Sequence, residues 1–448
     1  MIPGLISLYY VLRGELEKAF LNVFLPCTFL VPYYYGFRLP HLPDLSAGAG
    51  ALLPLGLAVL FRPKTPWKFR RMDLWVVLFM ISYAMSEVLR ENVPKDGMVL
   101  WMQSFVEKFL AYVVGRQLIE PNLRLTTIKR IVFLFMIQAP FALFEFRFGR
   151  NFWIELAPRL GIYPAWFVQL RGGTARIATA FGDTILAGII FLIAACLNYY
   201  LVQLYKQNKT ILGERMSMLQ KYRLPLILLP LFVYMTASRM PEACTVLAFL
   251  LMQIPRFKKM KTGAIIILLV VVVFGGSVYA VFQKYTNVSD DQVTDEAQSS
   301  AIYRKQLVIA YGPTLEQGGW LGWGLLSTPA QPGMTSVDNH YMLTQLSQGK
   351  LGKYLLQIIA VESILTLVIF ATKFRNKESQ FLVFSMMGAL AGTFVAMTTV
   401  YMGEQLPQIL FLVLGWSQSL QDTSVLGAGV RTRQEIPEGK FRFRRVIA

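Results

Sequence analysis

The side chains best suited to chemistry lie in one polar segment between two long apolar runs. From position 336 this segment reads SVDNHYMLTQLSQGKLG. Asp338 and His340 are its two candidate general bases, because an imidazole titrates near neutral pH and a carboxyl group does so when its pKa is raised. On a helix, side chains two positions apart point about 200° away from each other, so the two cannot face one substrate group. The sequence leaves open which of them accepts the proton.

Arginines at the same predicted membrane surface could bind an anion. Arg171 and Arg176 flank a Gly-Gly turn, and Arg239 separates two apolar runs in MTASRMPEA. Arg304 lies one turn into an amphipathic helical pattern. Arginine stays protonated and binds phosphate through two parallel hydrogen bonds, which favours an anion site. Headgroup anchoring for the first pair and a snorkelling hairpin tip at Arg239 fit the same pattern, so these alternatives stay open.

Metal binding is not expected from the remaining chemical residues. The chain has two histidines and three cysteines, and Cys27, Cys196 and Cys244 all fall in or at the edge of apolar runs. Cysteines in apolar runs, with two histidines elsewhere, predict neither a Cys/His metal cluster nor a disulfide framework. The acidic run at 287–300 is typical of a solvated loop more than of a cation site, and His41 lies in a proline-rich loop that favours a surface role. We therefore expect no metal and no cofactor.

Charged residues also occur inside apolar runs. Glu107 and Lys108 lie in the fourth run, and Glu145 lies near the end of the fifth. Charges at membrane depth are costly and usually face a cavity or a partner. For each of these residues a structural ion pair and a functional role fit equally well.

The composition around these residues is that of a membrane protein. Hydrophobic residues make up 55% of the 448 positions and charged residues 16%, and the mean hydropathy is +0.47. A soluble domain is about a quarter charged. The apolar runs predict an all-α integral membrane protein with about twelve membrane-spanning helices, since a span needs roughly 20 residues. The runs lie near 16–36, 45–61, 72–89, 98–119, 128–148, 177–205, 224–238, 241–255, 263–282, 354–372, 380–401 and 405–420.

The formal net charge of +18 is a topology signal. Basic residues cluster between alternate apolar runs, in the segments 62–71, 116–130, 206–223, 256–261 and 372–377 and in the C-terminal tail. This positive-inside pattern predicts that both termini are cytoplasmic and that the first span is retained. The basic residues form no aromatic-interleaved patch, so we expect the lipid bilayer as a partner and no nucleic acid.

The same pattern divides the chain into four parts. They are helices 1 to 9 within 1–282, with a short aromatic outer loop at 149–176; a large outward-facing loop at 283–353, between helices 9 and 10; helices 10 to 12 within 354–420; and a basic cytoplasmic tail at 421–448. Aromatic residues in the first loop predict a short interfacial helix. In the second, Asp338 or Ser336 is expected to cap a helix that Gly349 ends.

Five motifs in this order carry a resemblance. They are RIATAFGDTILAG from 176, TASRMPEACTVLAFLL from 236, the arginine at 304, GGWLGWG from 318 and DNHYMLTQLSQGKLG from 338. Together they resemble the O-antigen ligase and Wzy-type polymerase superfamily of bacterial envelope glycan assembly, over roughly residues 170–372. The resemblance implies a GT-C-like membrane fold with its active site on the large outer loop.

The resemblance also implies a function. A polyprenyl-diphosphate-linked glycan would be the donor and a glycan or the lipid-A core the acceptor, in a metal-independent transfer at the outer face of the bacterial inner membrane. A flippase or a chain-length regulator would be a further partner. The implied site residues are Arg176, Arg239 and Arg304 for the donor diphosphate, Asp338 or His340 as the base, and Asn339 and Tyr341 in support.

One position departs from the ligase pattern. The ligase motif is a His-Asn pair, and the slot of its histidine holds Asp338 here, whereas Asn339 matches and His340 comes two positions later. The Asp-Asn-x-Tyr order is more similar to the polymerase branch. The choice between polymerase and ligase stays open, and direct displacement predicts inversion at the anomeric carbon.

The alternative is a multi-pass transporter or flippase of lipid-linked glycans. Such folds usually have two similar halves with a binding site at mid-membrane. The sequence has no matching halves, and its candidate polar residues cluster at one predicted surface. This asymmetry favours an enzyme, while a purely structural role in an export complex also remains.

Overall fold

The computed structural model of the chain describes residues 2–36, 43–64, 66–90, 94–207, 212–286, 296–334, 336–374 and 376–426. Several residues of the sequence analysis lie outside these ranges, namely His41, Asp290, Asp291, Asp295 and positions 427–448 of the tail. The described chain is mostly helical (76%), and its strands form a two-stranded hairpin.

The helices follow one another with short connections. The α-helices are α1 (Ile2–Leu12), α2 (Leu16–Ala19), α3 (Leu25–Leu30), α4 (Ala47–Phe61), α5 (Arg71–Arg90), α6 (Pro94–Ser104), α7 (Ala111–Leu118), α8 (Pro121–Phe148), α9 (Phe152–Leu156), α10 (Thr184–Gln207), α11 (Leu212–Met235), α12 (Arg239–Leu251), α13 (Met260–Thr286), α14 (Glu296–Gln317), α15 (His340–Lys373), α16 (Lys377–Ala396) and α17 (Leu406–Leu426). The π-helical segments are Phe20–Phe24 and Phe105–Leu110, the 3-10 segments are Ala157–Leu160, Thr179–Phe181 and Ile254–Arg256, and the strands are β1 (Leu170–Arg171) and β2 (Thr174–Ala175).

Within the described ranges, 4 helices are long and apolar enough to cross a membrane: Pro121–Phe148, Thr184–Lys206, His340–Lys373 and Lys377–Ala396. Shorter apolar helices are Ile2–Leu12, Ala47–Phe61, Tyr222–Met235, Met260–Val273 and Leu406–Leu420. The helical content and these spans agree with an all-α membrane protein. The number of about twelve spans stays a prediction from the roughly 20-residue length rule.

Two helix boundaries differ from the sequence expectation. Helix α1 precedes every predicted run, and its Ser7 hydroxyl donates to the Ala51 carbonyl of α4 at 2.7 Å. The run expected from 177 becomes α-helical only at Thr184, because the Asp183 carboxylate caps α10 by accepting from two backbone N–H groups at 2.8 and 2.9 Å. A side-chain cap of this kind sets the helix start more sharply than hydrophobicity does.

The predicted tight hairpin between two apolar runs is confirmed. Helix α11 ends at Met235 and α12 begins at Arg239, which leaves a connection of residues 236–238. Within it Ala237 adopts a left-handed φ of 47°. The turn therefore holds a strained backbone beside the arginine that the sequence singled out.

The core of the bundle centres on α10, which packs against α8, α11, α12 and α16. Its residues from Leu186 to Leu201 are buried almost without exception. A helix that is apolar all round belongs in the interior of a bundle. Helices α7 and α17 cross at very close range, because a Cβ on Gly115 would lie 2.1 Å from the Leu412 carbonyl oxygen and one on Gly415 2.0 Å from that of Tyr112. Small residues at a membrane-helix crossing permit this approach.

Helix α15 is broken at Gly349, where φ is 69° and ψ is −170°. The predicted helix end at this glycine is therefore confirmed as a local break, but the chain continues as a second helical part to Lys373. The backbone groups freed by the break pair with the glycine-rich segment 318–324. Trp323 and Gly324 donate to the carbonyls before the break at 2.8 and 2.9 Å, while the Gly319 and Trp320 carbonyls accept from the N–H groups after it at 3.0 and 3.2 Å.

This pairing supplies hydrogen-bond partners to backbone groups that the hydrocarbon of a bilayer could not satisfy. It also brings two glycines together, since a Cβ on Gly322 would lie 2.4 Å from the Gly349 nitrogen. Helix α5 closes the arrangement. Its buried Ser86 donates to the Ser347 carbonyl at 2.5 Å, and its buried Glu87 accepts from the Leu325 N–H at 2.9 Å. The break is thus a built feature that fixes where the first part of α15 points.

Candidate functional site

The first turn of α15 carries the candidate bases. Asn339 caps it, with the Asn339 side-chain oxygen accepting from the Met342 N–H at 3.0 Å, so the expectation that Asp338 or Ser336 is the cap is wrong. Asp338 instead accepts from the Ser336 hydroxyl at 2.7 Å. Asp338 is therefore the last residue before the cap and His340 the first after it. The amide of Asn caps about as well as a carboxylate, which leaves Asp338 available for another role.

Arg304 of α14 lies within electrostatic range of Asp338. Burial lowers the pKa of the Arg304 guanidinium, the Asp338 carboxylate opposes this by raising it, and the charge of Arg171 lowers it further. These effects place two cations and one carboxylate in a single neighbourhood. The predicted helix at Arg304 is confirmed, but α14 begins at Glu296, so Arg304 lies about two turns into the helix instead of one.

Two sets of contacts hold α14 against the start of α15. The Tyr303 hydroxyl donates to the Ser336 carbonyl at 2.8 Å and accepts from the Ser336 N–H at 3.0 Å. Beside them an apolar cluster joins the two helices through Leu307, Tyr311, Met342 and Leu346. The cluster and the paired hydrogen bonds fix the position of Arg304 relative to Asp338.

Arg176 holds the turn between α11 and α12. Its Nε donates to the Thr236 carbonyl at 2.9 Å, its Nη1 to Gln169 Oε1 at 2.7 Å and its Nη2 to Ser238 Oγ at 2.7 Å. Each guanidinium nitrogen thus meets a protein acceptor, and the side chain is nearly buried. In this structure the geometry of Arg176 is that of a clamp on the turn, with its charge directed at the same neighbourhood.

The other predicted arginines meet at this turn. Arg171 lies on the β1–β2 hairpin and donates from Nη1 to the Ala237 carbonyl at 2.7 Å. The Gly-Gly turn of that hairpin is confirmed, with φ of 55° and 77° at its two glycines. Arg239 follows Ser238 directly, is exposed, and acts electrostatically on Glu242. Turn 236–238 is therefore bordered by three arginines.

Asp183 lies between the arginines and the start of α15, within electrostatic range of both Arg176 and Asp338. Burial raises the pKa of Asp183, the N–H groups it caps lower it, Arg176 lowers it further and Asp338 raises it. Asp183 and Arg176 therefore attract each other electrostatically. We use "arginine site" below for Arg171, Arg176, Arg304, Asp183 and Asp338.

His340 faces a different space. Its ring lines a cavity of about 200 Å³, together with side chains of the π-helical segment 105–110 and of the 397–404 connection. Its Nδ1 accepts a long hydrogen bond, 3.4 Å, from the Met402 N–H, and its ring centroid lies 6.3 Å from that of Tyr401. The neighbouring Tyr341 donates to the Phe394 carbonyl at 3.2 Å, which anchors the turn. The structure therefore separates the two candidate bases, but not for the reason predicted, because Asp338 precedes the cap of α15 and only His340 lies on the helix.

Glu404 is a site residue that the sequence reasoning missed. It lines the cavity, has a left-handed φ of 54°, and accepts from the Trp166 indole N–H at 3.1 Å. Burial raises the pKa of Glu404, the Trp166 hydrogen bond lowers it, and Asp183 raises it, so the cavity and the arginine site are electrostatic neighbours. The available signal was its isolation, because no other charged residue occurs between Glu378 and Asp422.

The sequence left a structural ion pair and a functional role open for Glu145. The contacts of Glu145 in the structure are hydrogen bonds of a structural kind. Its carboxylate accepts from Asn151 at 2.8 Å and from the backbone N–H groups of Ala178 and Thr179 at 3.1 and 2.8 Å. It thereby positions the segment that follows Arg176.

Metal-ligating side chains do not gather in the described part of the chain, where no group of three or more His, Cys, Asp or Glu residues could hold an ion. The polar chemistry of the region therefore consists of arginines, carboxyl groups and one imidazole. In comparisons with known proteins, no family model and no curated protein matches this chain.

Proposed function

We propose that the protein transfers a glycan from a polyprenyl-diphosphate carrier to a hydroxyl of an acceptor glycan or of the lipid-A core. The observation that supports this most is the position of Arg304, which lies within electrostatic range of both Asp338 and Arg171 and is held against the start of the broken helix α15 by the Tyr303–Ser336 hydrogen bonds. A carboxyl group beside fixed cations supplies a base and a stabiliser of developing negative charge in one place. The motif resemblance described above points to the same reaction.

The proposed reaction is a single displacement. The acceptor hydroxyl gives its proton to the Asp338 carboxylate as its oxygen bonds to the anomeric carbon of the donor. The bond from that carbon to the diphosphate oxygen breaks, and its electron pair leaves with the diphosphate. Arg304 and Arg171 stabilise the charge on the leaving oxygens, because guanidinium groups stay protonated and bind phosphate bidentately. The product has inverted configuration.

Hydrogen bonding favours Asp338 over His340 as the base. His340 Nδ1 accepts from the Met402 N–H, so in the neutral ring the proton lies on Nε2. In that tautomer Nε2 donates a hydrogen bond and cannot accept a proton. Arg239 and Arg176 contribute differently from Arg304 in this proposal. The exposed Arg239 meets the incoming diphosphate, whereas Arg176 keeps the turn in place.

The proposed setting is the outer face of the bacterial inner membrane, with 283–353 outward and both termini cytoplasmic. A flippase would deliver the donor, and a chain-length regulator would act on the product of a polymerase. Repeated transfer and single transfer to lipid-A core both fit the site.

The test is transfer by the purified full-length protein in liposomes. A polyprenyl-diphosphate oligosaccharide is supplied with and without lipid-A core, and products are resolved by electrophoresis. A ladder identifies a polymerase and a single core-linked product a ligase, whereas the absence of both overturns the proposal. Arg304→Gln should abolish product, and Lys305→Gln is its matched control, because it removes the same charge from the exposed side of the same helix.

A second candidate is transport of a lipid-linked glycan, favoured by one observation. A cavity with charged side chains in its walls lies beside a helix that is broken at Gly349, and discontinuous helices line the substrate sites of many transporters. Liposomes with a fluorescent lipid-linked glycan and no acceptor test this. Loss of the outer-leaflet signal to the inner leaflet without any new glycosidic bond would select transport.

A further inference from the structure

The cavity at His340 has a second charged wall, formed by the π-helical segment Phe105–Leu110. Glu107 and Lys108 are adjacent on this segment and both line the cavity. A π-helical turn inserts an extra residue into a helix and re-aims side chains, and it occurs often at functional sites. Two neighbouring charges at this depth are costly unless they serve a cavity or a partner.

Polar side chains hold both charges in place. The Glu107 carboxylate accepts from the Tyr33 hydroxyl at 3.0 Å and from Gln103 Nε2 at 3.3 Å. Lys108 Nζ donates to the Ser104 hydroxyl at 3.3 Å and lies 4.8 Å from the centre of the Tyr83 ring. The four partners line the same cavity, so both charges belong to one polar wall.

The opposite wall carries His340, Tyr401 and Glu404. Both walls therefore present hydrogen-bond donors and acceptors, with aromatic rings between them. A ligand with hydroxyl groups needs both donors and acceptors around it, because each hydroxyl donates one hydrogen bond and accepts others.

Charge and volume narrow the class of ligand. The cavity is lined by two carboxyl groups, one on each wall, and by one lysine, so it attracts an anion far less than the arginine site does. Its volume is about 200 Å³, whereas pockets for drug-sized ligands measure about 300–1,000 Å³. A single uncharged sugar ring is rich in hydroxyl groups and smaller than a drug-sized ligand, so it agrees with both the charge and the volume of the cavity.

We propose that this cavity binds a single uncharged sugar unit, the terminal unit of the acceptor glycan. The assignment rests on the proposed function, since a transferase needs an acceptor subsite next to its donor site. A hydrogen bond places the two sites side by side, because Gln405, the neighbour of Glu404, donates to the carbonyl of Ala180, three residues before Asp183, at 3.1 Å. The diphosphate then occupies the arginine site, and the acceptor sugar occupies the cavity.

The kinetic test uses Glu107→Gln and Glu404→Gln, which keep the size of the side chains on opposite walls. A hydrogen bond to a charged group is worth about 1.5–3 kcal/mol, so each change should raise the KM for the acceptor about 10- to 100-fold. The KM for the donor and the thermal unfolding temperature should stay the same. Glu155→Gln, an exposed carboxylate paired with Arg150, is the control that should change neither constant.

The binding test separates this inference from the proposed function. Methyl glucoside, methyl galactoside and methyl mannoside are added to the full-length protein in nanodiscs, and saturation transfer from protein to sugar is measured by NMR. Transfer to at least one glycoside that disappears in Glu107→Gln supports the cavity as a sugar site, even for a protein without transferase activity. An active enzyme whose acceptor KM is unchanged in both variants overturns the inference and leaves the proposed function standing. A wild-type protein with neither saturation transfer nor transferase activity overturns both.

Discussion

Replacing Gly349 by alanine should damage this protein more than any other small change in α15. The glycine has φ 69° and ψ −170°, a conformation that is essentially restricted to glycine. A Cβ there would lie 2.3 Å from the Trp320 carbonyl and 2.5 Å from the Gly322 nitrogen. The backbone strain costs about 1–3 kcal/mol, and forcing an extra carbon into a packed site costs typically 1–3 kcal/mol. We therefore expect a loss of about 2–6 kcal/mol in the free energy of unfolding.

Such a loss is a large part of the roughly 5–15 kcal/mol that stabilises a folded domain. It should also open the break locally, because the two segments are joined there by the Lys350 N–H bond to the Gly319 carbonyl at 3.0 Å. The assay is thermal unfolding of the purified protein in detergent, followed by tryptophan fluorescence of Trp320 and Trp323 together with the other tryptophans. Limited trypsin digestion at Lys350 reports the local opening and should be faster in the variant.

Gly276→Ala is the matched control. Gly276 lies in helix α13, and a Cβ there would meet nothing within 4 Å. Alanine favours a helix by about 0.8–1.0 kcal/mol over glycine, so this variant should be as stable as the wild type or slightly more stable. The reasoning fails when Gly349→Ala unfolds at the wild-type temperature, or when the two variants lose the same stability.

The other predictions concern the first turn of α15 and the arginine site. Asn339→Ala should lower the free energy of unfolding by about 1 kcal/mol because it removes the cap on the Met342 N–H, and Asn339→Asp should retain it; denaturant titration of both variants checks this. Arg176→Lys should lower the melting temperature as well as the transfer rate, since an ammonium group cannot reach all three acceptors, and a variant that melts normally would contradict the clamp. Asp338→Asn should cost on the order of 10²–10⁴ in single-turnover transfer rate and His340→Gln far less, whereas the opposite order would make His340 the base.

Local chemistry determined much of what the sequence predicted correctly. Apolar runs and a Gly-Gly pair are signals that act within a few residues, and they predicted most of the long helices, the break between two apolar runs at 236–238 and the turn between β1 and β2. The spacing of Asp338 and His340 was a less secure guide, because the prediction assumed that both lie on one helix and Asp338 precedes the cap. Periodicity and turn chemistry are properties of neighbours in the chain, so they can be read without the fold.

Helix ends were less predictable where a side chain decided them. Hydrophobicity placed the start of the sixth run at 177, but the Asp183 cap starts α10 at Thr184. The cap of α15 was expected from Asp338 or Ser336, and Asn339 provides it. All three are acceptable capping residues, and the choice among them depends on the backbone conformation that α14 imposes through Tyr303.

The sequence by itself determined that this is a helical membrane protein with a polar segment near its C-terminal third, and which residue types could act there. Only the tertiary structure decided how they are grouped. It directed two nitrogens of Arg176 to the 236–238 turn, brought Asp338 within electrostatic range of Arg304, and joined Glu107, His340 and Glu404 around one cavity. Those partners are far apart in the chain, and contacts between distant residues are set by the packing of whole helices, which no local pattern encodes.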